Sequence, residues 1–337
     1  MAILELEDLK VEYQASSGYV RAVERGTLDV AAGTMLGLVG ESGCGKTTLV
    51  RAITGVMARN ARITQGAIRF DRRDITHAGA AERRALLWRD IAFIPQSAMN
   101  ALDPVYRVSS QMREVLIERG GLSRAEAAQR IDELFAMVGL DRRRQRDFPH
   151  QFSGGMRQRV GIALALALRP KLLIADEPVT ALDVIVQRQV LDTLIDLQRR
   201  FQLSVILVTH DISVVAYACD RIAVMYAGQI VEAGATEEVL ERPVHPYTMG
   251  LTNAFPDLAR AEAELVPIPG SPPDLVHAPA GCRFEPRCPF ALPRCAGEDP
   301  PLARLKQDHR AACWRASDAP ALRSAAQEVG TWLSSSR

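Results

Sequence analysis

The 337-residue sequence predicts an α/β fold with a parallel-sheet core, an antiparallel β subdomain at its start and a helical subdomain in its middle. An irregular extension rich in proline and cysteine closes it. Three observations carry that expectation. Short apolar runs, each ending in a polar residue, recur at Met35–Val39, Lys171–Asp176 and Ser204–Thr209. Helical or loop sequence follows each run, and apolar strands alternating with helices indicate a parallel sheet with ligands at the strands' carboxyl ends. Thirteen of the nineteen prolines fall between 243 and 301, so regular structure is expected to thin out there.

In chain order, residues 3–13 and 19–30 alternate apolar and polar side chains around Ser16, Ser17 and Gly18. That pattern reads as antiparallel strands joined by a turn. Met35–Val39 is a buried strand running into a glycine-rich loop and a helix from Lys46 to about Val56. The stretch of roughly 97–168 reads as helical. Within it Ser123 and Glu126 form a capping box, and Ile131, Leu134, Phe135 and Val138 recur at helical spacing. No internal repeat is evident. The composition shift at Pro243 divides the chain into 1–242 and a C-terminal extension, 243–337.

Composition narrows the function classes. With 47% hydrophobic and 24% charged residues, wholesale disorder is excluded. No uncharged stretch reaches the roughly 18 residues of a membrane-spanning helix. The first eight residues carry acids and lack a basic-then-apolar layout, so no signal peptide is expected and the chain is expected in the cytosol. A net charge of +1 and a pI of 7.7 exclude a strongly basic nucleic-acid binder. The basic run Arg142–Arg144 with Arg146 is flanked by Asp141 and Asp147 and lacks interleaved aromatics, so it reads as a solvated loop. Only four of the 41 basic residues are lysines, and Lys46 is the one lysine between positions 11 and 170.

That lysine lies in Gly40-Glu41-Ser42-Gly43-Cys44-Gly45-Lys46-Thr47, which fits G-x-x-x-x-G-K-S/T between a strand and a helix that also takes in Thr48. Glycines let backbone N–H groups wrap phosphates, and the helix start adds partial positive charge. Lys46 would reach the β- and γ-phosphates and Thr47 would ligate Mg²⁺. Cys44 fills space in the loop. The run Leu172–Asp176 ends in two carboxylates, of which Asp176 is placed to hold Mg²⁺ through water and Glu177 to polarise an attacking water. His210, following Ser204–Thr209, is a natural sensor of a γ-phosphate. Ser153, Gly154 and Gly155 precede the apolar run VGIALALAL and start a buried helix, a second anion site that suits another subunit's nucleotide.

In this order, the motifs resemble those of the ATP-binding subunits of ABC transporters, over about residues 1–255. The resemblance implies a P-loop NTPase of the ABC cassette type. It makes 40–47 the Walker A loop, Gln96 the Q-loop glutamine that meets Mg²⁺ and the reacting phosphate, and Phe152–Met156 the signature. It makes 172–176 the Walker B strand with Glu177, Ala181-Leu182-Asp183 the D-loop, and His210 the switch histidine. Tyr13 matches the aromatic that stacks on adenine, although a core aromatic is the alternative. The signature departs from the usual LSGGQ at Phe152 and Met156 and keeps its Ser-Gly-Gly core, so a dead site is not inferred.

FSGGMRQRV, ADEPVTALDV and Arg242–Thr248 (RPVHPYT) are similar to the peptide/nickel branch of ABC importers, and to the first of its two non-identical ATPase subunits. That resemblance implies a second, different ATPase subunit, two transmembrane permeases and an extracytoplasmic solute-binding protein, with the chain on the cytoplasmic face of the inner membrane. Two ATPases would sandwich ATP head-to-tail between one P-loop and the other's Ser153-Gly154-Gly155. Their closure would pull on the permeases through Ser97–Val105. Substrates in the branch are di- and oligopeptides, nickel and some oligosaccharides. A soluble ABC ATPase of DNA repair or translation is the rival, but neither a long coiled-coil insertion nor a second cassette is present. An exporter ATPase leaves 243–337 unexplained.

Cys282, Cys288, Cys295 and Cys313 are spaced C-x5-C-x6-C-x17-C within the extension. In a cytosolic chain such a cluster points to metal rather than disulfides. Thiolates select Zn²⁺ or an iron–sulfur cluster, and the missing C-x2-C knuckle counts against the usual zinc finger. Unligated thiols are the third option. The segment Gly281–Phe290 (GCRFEPRCPF) recurs in the resembled branch, and members with this cysteine set imply a 4Fe-4S cluster, zinc being the alternative. His309 reads as a surface histidine or as a substitute ligand.

Overall fold

The computed structural model describes residues 1–16, 18–96, 102–254, 268–306 and 308–333. Its first six strands are β1 (Ala2–Ala15), β2 (Gly18–Ala31), β3 (Met35–Val39), β4 (Ala61–Phe70), β5 (Arg73–Asp74) and β6 (Ile91–Ile94). Then come β7 (Leu172–Asp176), β8 (Ser204–Thr209), β9 (Arg221–Tyr226), β10 (Gln229–Ala235), β11 (Ala303–Lys306) and β12 (His309–Ala311). The chain divides into two compact units. One holds residues 1–3, 30–35 and 71–208, and the other holds 4–29, 36–70 and 209–337.

In the first unit β6, β7 and β8 run parallel, with Ile91 opposite Leu172 and Leu172 opposite Ser204. Every residue of β7 and β8 is buried, which is why both read as continuous apolar runs without alternation. Helices span Val108–Glu114, Arg124–Met137, Gly154–Ala165 and Val184–Phe201, and a π-helical segment, Val115–Arg119, extends the first of them. The expected capping box forms. The Ser123 hydroxyl accepts the Glu126 N–H at 3.3 Å, and the Glu126 carboxylate accepts the Ser123 N–H at 2.8 Å. Ile131, Leu134, Phe135 and Val138 are all buried. Residues 97–101 of the expected permease-contacting segment lie outside the described residues. Further along that segment, Val105 is exposed, as is the adjoining Tyr106.

In the second unit the sheet order is β4-β1-β2-β10-β9-β3. β1 is antiparallel to β4, β10 is antiparallel to β9, and β3 is parallel to β9. Ser17, in the expected turn between β1 and β2, lies outside the described residues. The helix after β3 covers Lys46–Thr54, because Gly55 adopts a left-handed conformation and its N–H caps the Ala52 carbonyl.

Beyond 243 the chain forms more regular structure than its prolines imply. Helices span Pro246–Asn253, Pro293–Gly297, Ala319–Ala326 and Val329–Leu333. Three of them carry proline at the first or second position, where a missing N–H costs nothing. β12 adds antiparallel to β10, with Glu232 opposite Ala311, and β11 pairs with β12. Trp332 is fully buried and donates its ring N–H to the Ala326 carbonyl at 2.8 Å.

A buried carboxylate ties these pieces together. Glu232 is wholly inaccessible and accepts the N–H groups of Val244 and His245 at 2.8 and 2.9 Å. Its third partner is His309, whose Nε2 lies at 2.7 Å. This corrects the sequence expectation for His309. It is neither at the surface nor a substitute ligand, because its ring is buried and committed to Glu232. Burial pushes the neighbouring His245 down to about 3, and its neutral Nδ1 accepts the Tyr247 N–H at 3.1 Å. Glu232→Ala is expected to cost about 3–5 kcal/mol, since it strips the partner from three buried donors. Thermal unfolding and limited proteolysis of residues 303–333 check this, and an unchanged melting temperature would refute it.

Candidate active site

The phosphate loop begins where β3 ends, in the second unit. Gly43 and Gly45 hold φ of 79° and 107°, which side chains rarely adopt. A Cβ on Gly45 would lie 2.2 Å from the Ala22 carbonyl oxygen, and one on Gly40 would lie 2.0 Å from that of Met225. The loop backbone is thus pressed against two strands, and only glycine fits. Lys46 is buried, and its Nζ donates to the Gly40 and Glu41 carbonyls at 2.6 and 3.0 Å. Its ammonium therefore sits inside the loop at the positive end of a helix, where an anion is favoured. Cys44 is buried, and burial pushes its thiol up, so it fills space as expected.

Around the loop, Ser42 and Gly43 are exposed at the tip, while Thr47 and Thr48 are half-buried in the first helical turn. Tyr13 is also half-buried near the end of β1, with its hydroxyl 3.2 Å from Thr48 Oγ1. His210 is exposed directly after β8, beside Asp211, whose carboxylate accepts the Ser213 N–H at 2.8 Å and caps the next helix. Two contacts on Glu41 have no signal in the sequence. Its N–H donates to the Tyr247 hydroxyl at 3.0 Å, and its carboxylate accepts Arg287 Nη1 at 2.9 Å.

In the first unit, β7 delivers Asp176, which is buried, and then Glu177. Glu177 has a left-handed φ of 50°, pinned by its N–H to the Val208 carbonyl at 2.8 Å. Strain of this kind in a residue other than glycine collects at functional sites. Gln96 Nε2 at 2.9 Å and the Thr180 hydroxyl at 3.1 Å both donate to its carboxylate. Gln96 and Glu177, 81 positions apart, are thus brought together.

Ser153 caps the helix Gly154–Ala165, its hydroxyl accepting the Met156 N–H at 3.3 Å. Asp183 caps the helix Val184–Phe201 by accepting the Val186 N–H at 2.9 Å. A Cβ on Gly155 would lie 2.2 Å from Val186 Cγ1, so the two helix starts are in close contact. The basic run is less solvated than expected. Arg143 is exposed, but Arg144 turns inward, its guanidinium 4.8 Å from the Phe152 ring centre. It also donates to the Gln151 carbonyl at 2.7 Å and to Met156 Sδ at 3.3 Å.

The four extension cysteines line one pocket of the second unit, with Phe284 and Trp314 beside them. Burial and the neighbouring thiols push Cys282 up to about 12 and Cys313 up to about 11, and raise Cys288 as well. Backbone N–H groups two residues on point at three of the sulfurs, those of Phe284, Phe290 and Arg315. Among the described residues, no group of three or more His, Cys, Asp or Glu side chains is gathered tightly enough to hold a metal ion.

Comparison with known proteins agrees with the motifs. A family model described as ABC transporter matches residues 23–180, and one described as the C-terminal region of oligopeptide/dipeptide transporters matches 231–295. The chain is 44% identical to the oligopeptide transport ATP-binding protein OppD of Salmonella typhimurium, over 93% of both chains. It is 40% identical to the dipeptide transport ATP-binding protein DppD of Bacillus subtilis, over 93% of this chain and 94% of that one. Among solved structures, the ATP-binding cassette MJ0796, a dimer in a post-hydrolysis state with ADP and Pi, superposes with a TM-score of 0.62. That match has 27% identity and covers 69% of this chain and 98% of that one.

Gly45→Ala is expected to abolish nucleotide binding with the rest of the fold retained, because its methyl group collides with the Ala22 carbonyl. Binding of a fluorescent ATP analogue beside a far-ultraviolet circular dichroism spectrum checks this.

Proposed function

The chain belongs to the ATP-binding subunits of ABC transporters, in the branch of oligopeptide and dipeptide importers, and on that premise we propose that its ATPase activity drives the uptake of peptides. One observation carries the reading: a buried lysine held on the carbonyls of a glycine-strained loop at a helix start. Lys46 exchanges those carbonyls for β- and γ-phosphate oxygens, and the amides of Gly40–Thr48 surround them. Tyr13 stacks on the adenine.

Magnesium, when bound, neutralises charge on the β- and γ-phosphates. Thr47, Gln96 and Asp176 supply the oxygen donors that suit a hard cation, Asp176 through water. Glu177 orients and polarises the attacking water, its carboxylate aimed by Gln96, Thr180 and a fixed backbone. His210 contacts the γ-phosphate. Ser153, Gly154 and Gly155, with Asp183, serve the nucleotide of a second, non-identical ATPase subunit.

The described residues hold no helix long and apolar enough to cross a bilayer. From the importer branch to which the chain belongs, the solute path is assigned to two permease subunits, fed by an extracytoplasmic binding protein, with this chain peripheral on the cytoplasmic face. Residues 1–242 form the ATPase part and 243–337 the extension. Glu177→Gln is expected to keep ATP binding and to lower hydrolysis in the assembled transporter by about 100-fold or more. Turnover near that of the unaltered transporter would overturn the assignment.

The four cysteines are proposed to hold a structural 4Fe-4S cluster. One observation supports this reading. The thiols share one pocket with backbone N–H groups aimed at sulfur, as thiolates require. Bound as thiolates, they cross-link a segment built mostly of short turns and single helical turns. Anaerobically purified protein is expected to be brown, with about four irons per chain. Cys288→Ser is expected to lose the colour and loosen residues 270–320 to protease. Stoichiometric zinc without iron, after iron-replete anaerobic expression, would replace the cluster with a zinc site.

A further inference from the structure

A triphosphate is strongly anionic, yet the loop assigned to receive it carries a carboxylate of its own, Glu41. That side chain is a quarter exposed and belongs to the same turn whose carbonyl holds Lys46 at 3.0 Å. Left unpaired, it would repel phosphate and compete with it for Lys46. The extension supplies the counter-charge. Arg287, between two of the cysteines, is 93% buried and sends Nη1 to Glu41 Oε2 at 2.9 Å and to the Tyr226 hydroxyl at 3.2 Å. Its other donors meet the Pro269 and Ile268 carbonyls at 2.9 and 3.3 Å. Three of those four acceptors are neutral. Among the described residues, the charge of Arg287 is balanced by Glu41.

We infer that Arg287 is a positioning residue for nucleotide binding: it neutralises Glu41 and holds that carboxylate away from the phosphate cradle. Tyr247 completes the hold by accepting the Glu41 N–H. The extension thereby helps set the affinity of a loop more than 240 positions earlier in the chain. This inference rests on the phosphate-binding role given to 40–48.

The test is ATP affinity of the full chain, measured by displacement of a fluorescent ATP analogue. Arg287→Gln is expected to weaken ATP binding about tenfold, and Arg287→Lys, which keeps the charge, to stay within about threefold. Adding Glu41→Gln to Arg287→Gln is expected to restore affinity, because the carboxylate to be neutralised is gone. An anchor that merely ties down Ile268 and Pro269 would show no such rescue. Arg287→Gln binding ATP within twofold of the unaltered chain, or a loss that Glu41→Gln leaves in place, overturns the inference. Should Arg287→Gln not fold, Glu41→Gln alone decides. ATP binding at least as tight as the unaltered chain supports the inference, and weaker binding overturns it. Lys46→Ala is the control, since ATP binding that survives it would instead refute the phosphate-site assignment.

Discussion

A carboxylate removed from water must have its hydrogen bonds met by the protein, and Glu232 imposes that demand on three stretches of chain at once. Its two backbone donors, Val244 and His245, fix the start of the helix Pro246–Asn253. Its third, His309, fixes β12 at the sheet edge. From that helix Tyr247 reaches the phosphate loop and packs 4.5 Å from Tyr226 and 5.5 Å from Phe284, ring centre to ring centre. The cysteine segment, which carries Phe284 and Arg287, is thus seated on aromatic contacts whose placement starts at Glu232. Composition marks the region beyond 243 as an appendage, whereas its contacts make it part of the floor beneath the loop.

What the sequence makes legible are the places where one residue type alone is tolerated. The loop glycines are visible because close backbone approach and positive φ exclude every other residue, and β3, β7 and β8 because complete burial leaves unbroken apolar runs. The capping box is visible because both partners lie within four residues. β9 and β10 have no comparable signal: they are buried along nearly their whole length, but Gly228, Gln229 and Glu232 break the apolar run. Long-range polar pairs are the least legible. Glu232 with His309, and Glu41 with Arg287, join positions 77 and 246 residues apart, and nothing local in either partner announces the other.

The same holds for Arg144. In a run of arginines its neighbours make it look solvated, yet it stacks on Phe152 and reaches Met156 Sδ. Those are the two positions at which this signature departs from the usual LSGGQ. An aromatic and a soft, polarisable sulfur are what a planar guanidinium packs against. The departures and the arginine are read most simply as one compensated set around an unchanged Ser-Gly-Gly centre.

Gly155 and Val186 carry a mechanical consequence. Because the valine methyl occupies the space that a side chain at 155 would need, the helix that begins after Ser153 and the helix that begins after Asp183 mesh without slack. Any side chain at 155 would therefore have to wedge the two helix starts apart, so the serine cap and the Asp183 cap keep their spacing only with glycine there.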